Sequence, residues 1–162
     1  RLVGASGLYV TEPVGGPADQ PDYINAILEV HTSLDPYALL TLCQQVEAHH
    51  HRVRLVRWGP RTLDIDVITY DDLVSDDPVL TLPHPRAHER AFVLVPWEQA
   101  NPQAVIPSRD AATGEQTRHL VADLARRVRA ADERAGVNAV RFMRDMNLPK
   151  NLFDSGAESE GV

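Results

Sequence analysis

Cysteine is almost missing from this chain. Cys43 is the only one in 162 residues, so neither an internal disulfide nor a thiolate metal cage can form. A lone thiol fits a reducing compartment, and its ordinary role is that of a small buried hydrophobe. Long apolar runs are missing too. Stretches such as Ala91 to Val95 fall far short of the ~20 residues needed to cross a bilayer. No basic-then-apolar leader precedes them, so neither a membrane partner nor export is expected. Positive charge is outnumbered, with 16 Lys and Arg against 23 Asp and Glu and a net charge of -7. That balance disfavours a general affinity for polyanions and argues against nucleic acid as a partner. Three signatures are also lacking: a Walker-type Gly-x-x-x-x-Gly-Lys-Ser/Thr loop, a dinucleotide glycine fingerprint and a Gly-x-Ser-x-Gly elbow. Their enzyme classes lose their main support.

What is present has the balance of a folded domain, with 43% hydrophobic and 24% charged residues. One core of this size can bury roughly 70% of the surface that the unfolded chain exposes. Arg1 stands where a start methionine would, so a longer parent sequence is expected. Leu2–Thr11 reads as a strand, followed by a shaped loop over Glu12–Pro21 that holds three prolines and two glycines. Ile24–Thr32 reads as a second strand that makes a long-looped hairpin with the first. Asp35 caps a helix that opens on Pro36, carries Leu39, Leu40, Cys43 and Val46 as its apolar stripe, and runs to about His50. Arg52–Pro60 suggests a mobile loop. Leu63–Tyr70 is the most strand-like stretch, and an acidic turn follows over Asp71–Asp77. Pro83-His84-Pro85 forces extended backbone ahead of a short helix over Val93–Ala100. Thr117–Ala135 reads as an amphipathic helix with Leu120, Leu124 and Val128 on one face and Gly136 as its stop. Val137–Met143 reads as a last strand, and Asn147–Val162 as a frayed tail.

Asp64 and Asp66 lie two apart on a predicted strand, so their side chains share a face with backbones roughly 6.6 Å apart at ~3.3 Å rise per residue. Two carboxylates at that spacing suit one or two Mg²⁺ ions, because hard cations prefer carboxylate, water and phosphate oxygens. The bland alternative is a solvated strand face. Arg52, Arg54, Arg57 and Arg61 immediately precede the pair with no acidic residue among them. Guanidinium groups donate two parallel hydrogen bonds to phosphate and keep their charge, so arginines beside paired carboxylates describe a metal–polyphosphate site. The alternative is a solvated basic loop. Trp58, in a polar Gly-Pro loop, could close over a flat substrate or anchor the core. His84, Arg90 and Phe92 form a second cluster, offering an imidazole, a phosphate fork and an aromatic face. Tyr23 and Asn25 share a face of the second strand, and an Asn amide can read a donor–acceptor edge of a heterocycle. The run His49-His50-His51 tempts a metal reading, but successive helical residues diverge by ~100° and cannot all chelate one ion. They read as helix-end residues favoured by the negative end of the dipole.

Read as a string, Arg57-Trp58-Gly59-Pro60-Arg61-Thr62-Leu63-Asp64-Ile65-Asp66 resembles the signature of the 6-hydroxymethyl-7,8-dihydropterin pyrophosphokinases of folate biosynthesis. Three further blocks follow that family's order and spacing: Asp19–Asn25, Arg52-Val53-Arg54, and Leu82-Pro83-His84 with Arg90–Leu94. Together they cover about Leu2 to Pro102, and the last third of the chain matches only loosely. The resemblance implies a cytoplasmic, monomeric, Mg²⁺-dependent enzyme whose partners are small molecules. It would move the pyrophosphoryl group of ATP to the pterin hydroxymethyl group, giving AMP and the pterin diphosphate. It implies that Asp64 and Asp66 hold two Mg²⁺ ions, and that Arg52 and Arg54 act from a catalytic loop. Arg61, His84 and Arg90 would grip phosphates, with Trp58 helping to close the lid. Asn25 would read the pterin edge between Tyr23 and Phe92, and the Thr11–Val14 loop would add backbone contacts.

The implied fold is α+β, a ferredoxin-like antiparallel sheet with helices packed on it. It would form a domain over residues 1–146, with a flexible acidic tail over 147–162. The family opens with a strand carrying Gly-Ser-Asn and then a helix, and neither precedes Arg1. Without them two strand edges are expected to be exposed, leaving these residues alone poorly stable and weakly active. Two other classes share the residues: a non-catalytic nucleotide- or pterin-binding fragment, and a two-metal phosphohydrolase. The second lacks a long basic surface.

Overall fold

The computed structural model describes residues 1–12, 21–50, 62–135, 140–149 and 152. The expected first strand is two strands, β1 (Leu2–Ala5) and β2 (Leu8–Thr11), and the expected second is β3 (Tyr23–Asn25) and β4 (Leu28–Val30). They pair antiparallel as β1 with β4 and β2 with β3, forming one hairpin whose arms break at facing positions. The break is built from specific contacts. Ser6 donates its backbone N–H to the Ile27 carbonyl at 2.9 Å, and its Oγ accepts the Ile27 N–H at 2.9 Å. Gly7 donates its own N–H to Gln99 Oε1 at 2.7 Å. These residues spend their hydrogen-bonding groups outside the ladder.

The capped helix is present as α1 (Pro36–His49). Asp35 Oδ1 accepts the N–H groups of Tyr37 and Ala38 at 2.9 and 3.0 Å, and proline sits at the first turn. Its inward stripe differs from the expected one. Val46 is 37% exposed, and the position that continues from Leu40 and Cys43 is Glu47, which is buried. Cys43 is half-buried, and its thiol is pushed up first by that burial and then by the charge of Glu47. His49 lies in the last turn of α1. His51 lies outside the described residues.

The strand expected over Leu63–Tyr70 is not formed: Thr62 is a bend, and residues 63–70 join no ladder among the described residues, held instead by side-chain and loop contacts. A turn at Asp71 leads to the short pair β5 (Ser75–Asp76) and β6 (Thr81–Leu82). After a 3-10 turn over Ala87–Glu89 comes α2 (Ala91–Ala100), two residues longer at its start than expected because the Arg90 carbonyl accepts from Val93 and Leu94. The predicted helix from Thr117 begins later, as α3 (Val121–Ala135). Residues 116–120 instead form β8 (Gln116–Leu120), paired with β7 (Val105–Arg109) across a turn. Asp110 Oδ1 accepts from Ala112 and Thr113 in that turn, and Gly114 takes a φ of 71°, which favours glycine. The last strand is β9 (Arg141–Arg144), which pairs with the free edge of β2. Most of the expected tail lies outside the described residues.

The core lies where α2 and α3 meet, with Val93, Leu94 and Trp97 packed on Val121, Ala125, Ile106 and Ala87. The other side of α2 lies against β1 to β4. The result is an α+β architecture in which, among the described residues, every paired strand is antiparallel. Among the described residues no helix is long and apolar enough to cross a membrane.

Candidate active site

The aspartate segment keeps the alternation that the sequence predicts. Leu63, Ile65 and Val67 are half-buried, while Asp64 and Asp66 are exposed, so the two aspartates lie on the outer side of the segment. Side-chain and loop contacts hold the stretch in the absence of a ladder. Thr62 Oγ1 donates to the His50 carbonyl at 2.7 Å, and the Ile65 N–H donates to Glu47 Oε1 at 2.7 Å. The Ile68 carbonyl accepts from the His84 N–H at 2.8 Å, and Tyr70 donates its hydroxyl to the Leu34 carbonyl at 2.7 Å.

The His84 contact brings the second cluster to the first. Burial is the largest influence on the imidazole and holds it below the ordinary histidine range; Asp66 pulls it up, while Arg90 and Arg86 push it down. His84 Nδ1 accepts the Arg86 N–H at 3.2 Å. An accepting Nδ1 assigns the proton of the neutral ring to Nε2, which leaves a donor for an anionic oxygen. Arg90 is the N-cap residue of α2, and its guanidinium carbon lies 5.4 Å from the centroid of the Phe92 ring two residues on. Phe92 is itself half-buried against the core.

A third group sits on the β2–β3 hairpin. Thr11 faces Tyr23 and Tyr9 faces Asn25 in the ladder, so all four side chains share a face. Tyr9 and Thr11 are buried, Tyr23 and Asn25 are half-buried, and Ile24 on the opposite face is 59% exposed. Asn25 Nδ2 donates to Thr11 Oγ1 at 2.8 Å. Asn25 Oδ1 and the second N–H then remain as an acceptor and a donor in one plane, a pattern that matches the edge of a planar heterocycle. The α2 helix packs against both β2 and β3, so it spans the hairpin group and the phosphate-type group at its N-terminus.

Asp66 and Arg90 thus each act on His84, Arg90 and Phe92 are in contact, and Thr11 and Asn25 are bonded. Val14, Arg52, Arg54, Trp58 and Arg61 lie outside the described residues. Two open hollows lie elsewhere, one of about 410 Å³ beside Asp72 and Arg118 and one of about 340 Å³ beside Gly7 and Gln99, and neither includes the predicted site residues. Sequence reasoning missed Glu47 and the Thr11 hydroxyl. The signal for Glu47 was available, because an acidic residue continuing the Leu40–Cys43 stripe is out of place unless something inside needs it.

Chemically, the arrangement offers exposed paired carboxylates, a neutral imidazole, a guanidinium at a helix start and an amide aimed from a strand. The chain is also similar to proteins of known name. The chain is 42% identical over 113 residues to the 2-amino-4-hydroxy-6-hydroxymethyldihydropteridine pyrophosphokinase of Haemophilus influenzae, covering 70% of each chain. It is 43% identical over 124 residues to the protein of that name from Methylorubrum extorquens, covering 76% of this chain and 74% of the relative. With the one from Pseudomonas aeruginosa it is 43% identical over 107 residues, covering 66% of this chain and 65% of the relative. Residues 1–102 match the family model described as 7,8-dihydro-6-hydroxymethylpterin-pyrophosphokinase, a span that holds the paired aspartates, His84, Arg90, Phe92 and the Thr11–Asn25 bond, and the chain belongs to that family.

Proposed function

We propose that this chain transfers the pyrophosphoryl group of ATP to the hydroxymethyl group of 6-hydroxymethyl-7,8-dihydropterin, in folate biosynthesis. The hydroxymethyl oxygen forms a bond to the β-phosphorus, the bond from that phosphorus to the oxygen bridging the α-phosphate breaks, AMP leaves, and the hydroxyl proton passes to solvent. Such transfers ask mainly for in-line positioning and for neutralisation of spreading charge. The observation that carries the reading is the exposed Asp64/Asp66 pair on a segment pinned by Glu47 and His84, with Asp66 and Arg90 both acting on the His84 imidazole.

The donor set suits Mg²⁺, since both groups are hard oxygen ligands. Among the described residues no group of three or more His, Cys, Asp or Glu side chains is placed to hold an ion. On this reading the aspartates would hold Mg²⁺, two ions as the family resemblance implies, with water and phosphate completing the coordination. When bound, the metal would neutralise triphosphate charge and draw the acceptor hydroxyl toward it. His84, donating from Nε2, grips phosphate oxygens together with Arg61 and Arg90, while Arg52 and Arg54 act from the catalytic loop. Asn25 reads the pterin edge, Tyr23 and Phe92 flank the ring, Thr11 and Val14 line its rim, and Trp58 closes over it. We assign the reaction to a cytoplasmic monomer with small-molecule partners, a setting that a single free thiol fits.

The test is AMP formation from ATP and the hydroxymethylpterin with and without Mg²⁺. Mg²⁺-dependent AMP and pterin diphosphate are the expected products. Binding of both ligands with no AMP would replace this reading with a non-catalytic one.

A further inference from the structure

Glu47 is 4% exposed, on the inward face of α1. Burying a carboxyl group is unfavourable unless its oxygens meet donors, and Oε1 meets the Ile65 N–H at 2.7 Å. That N–H belongs to the peptide joining Asp64 to Ile65, so the bond fixes a peptide plane lying between the two aspartates. The side-chain directions of Asp64 and Asp66 are set by backbone rotations on either side of this plane. Thr62 and Ile68 are held at the ends of the stretch through His50 and His84, and Glu47 holds its middle. A sheet ladder would ordinarily supply this order, and among the described residues residues 62–70 have none.

We propose that Glu47 is a positioning residue for the aspartate pair: by accepting the Ile65 N–H from a helix, it keeps Asp64 and Asp66 at the separation that binds a divalent cation with ATP. This rests on the reading of the aspartates given above. Glutamine retains an acceptor oxygen in the same place, whereas leucine and methionine fill the volume and accept nothing. Groups that orient metal ligands are worth about 10- to 100-fold in metal affinity.

The experiment measures Mn²⁺ affinity by electron paramagnetic resonance in the presence of a non-hydrolysable ATP analogue, together with the Mg²⁺ concentration for half-maximal AMP formation and the pterin affinity by fluorescence. Glu47→Leu and Glu47→Met are expected to weaken Mn²⁺ binding at least about tenfold while pterin affinity stays within about threefold, and Glu47→Gln is expected to restore Mn²⁺ binding to within about threefold of the parent. Unchanged Mn²⁺ affinity in the Leu or Met protein overturns the proposal. So does a Gln variant as weak as Leu, because charge and not the acceptor would then matter. Should both apolar variants unfold by circular dichroism, the Gln result alone decides, with retained affinity supporting the proposal and a tenfold loss refuting it. Asp66→Ala in the same assay separates the two levels. If it leaves Mn²⁺ affinity intact, the metal reading of the aspartates fails; if it abolishes binding while Glu47→Leu does not, only the positioning role fails.

Discussion

Replacing Thr11 by valine removes one hydroxyl and almost no volume, at a strand position where a β-branched residue belongs. Thr11 is 5% exposed, and its Oγ1 is the acceptor that holds Asn25 Nδ2 at 2.8 Å. The net worth of such a bond is about 0.5–1.5 kcal/mol, and a half-buried N–H left without a partner adds about 1 kcal/mol more. Most of that loss should appear in pterin affinity, because the fixed amide plane is what presents Oδ1 and the second N–H together. A deficit of about 1–2 kcal/mol corresponds to roughly 5- to 30-fold weaker binding. Titration calorimetry with the hydroxymethylpterin measures it directly, with ATP-analogue affinity as the internal control. Thr11→Ser, which restores an acceptor, should recover most of the loss. An unchanged pterin affinity in the valine protein, with the fold intact, would refute the reasoning, since Asn25 would then need no help to present its edge.

Two further perturbations bear on pH and on packing. His84 has a depressed pKa in the folded protein, so below about pH 6.5 the unfolded chain binds a proton that the native ring resists. That contribution to stability is present above the unfolded value and is lost as the pH falls through the folded one. In metal-free buffer, the Tm of His84→Gln should therefore fall less between pH 7.5 and pH 5.5 than the parent's, and equal slopes would contradict the assignment. Gly7→Ala would put a methyl group 2.9 Å from the Arg144 carbonyl oxygen and 2.6 Å from Phe142 Cε2, forcing β9 away from β2. Overpacking of this kind costs about 1–3 kcal/mol, read as a Tm lowered by several degrees in a thermal melt.

Local chemistry made part of the fold legible. Asp35 followed by Pro36 marked the start of α1 because both act within one turn, by accepting free N–H groups and by fixing φ. The alternation at Leu63–Val67 was legible because burial on one side of an extended chain needs only that chain's own pattern. The start of α3 was not, since Leu120 continues the spacing of Leu124 and Val128 yet belongs to a strand. The turn chemistry of Asp110 and Gly114 outweighed that periodicity, because a hairpin closed there carries residues 116–120 into register with 105–109. The break at Ser6–Gly7 depends in part on Gln99, 92 residues from Gly7, and no local rule reaches that far.

The candidate site divides along the same line. Residues whose chemistry is their own, namely Asp64, Asp66, His84, Arg90 and Asn25, could be named from type and spacing. The groups that hold them are not marked in that way, because Glu47 acts on the aspartate segment through the Ile65 N–H and the Thr11 hydroxyl acts through Asn25, contacts made across elements. This asymmetry has a physical cause. A ligand-binding group must be exposed, polar and spaced to its ligand, and each of these properties leaves a mark on the string. A supporting group is defined by a single distance to another element, and its only local trace is a polar residue where the pattern asks for an apolar one. Glu47 on the buried stripe of α1 leaves that trace, and Thr11 on the buried face of β2 leaves a fainter one. A buried polar residue that breaks an amphipathic pattern beside a candidate site is therefore the place to look for what orders it.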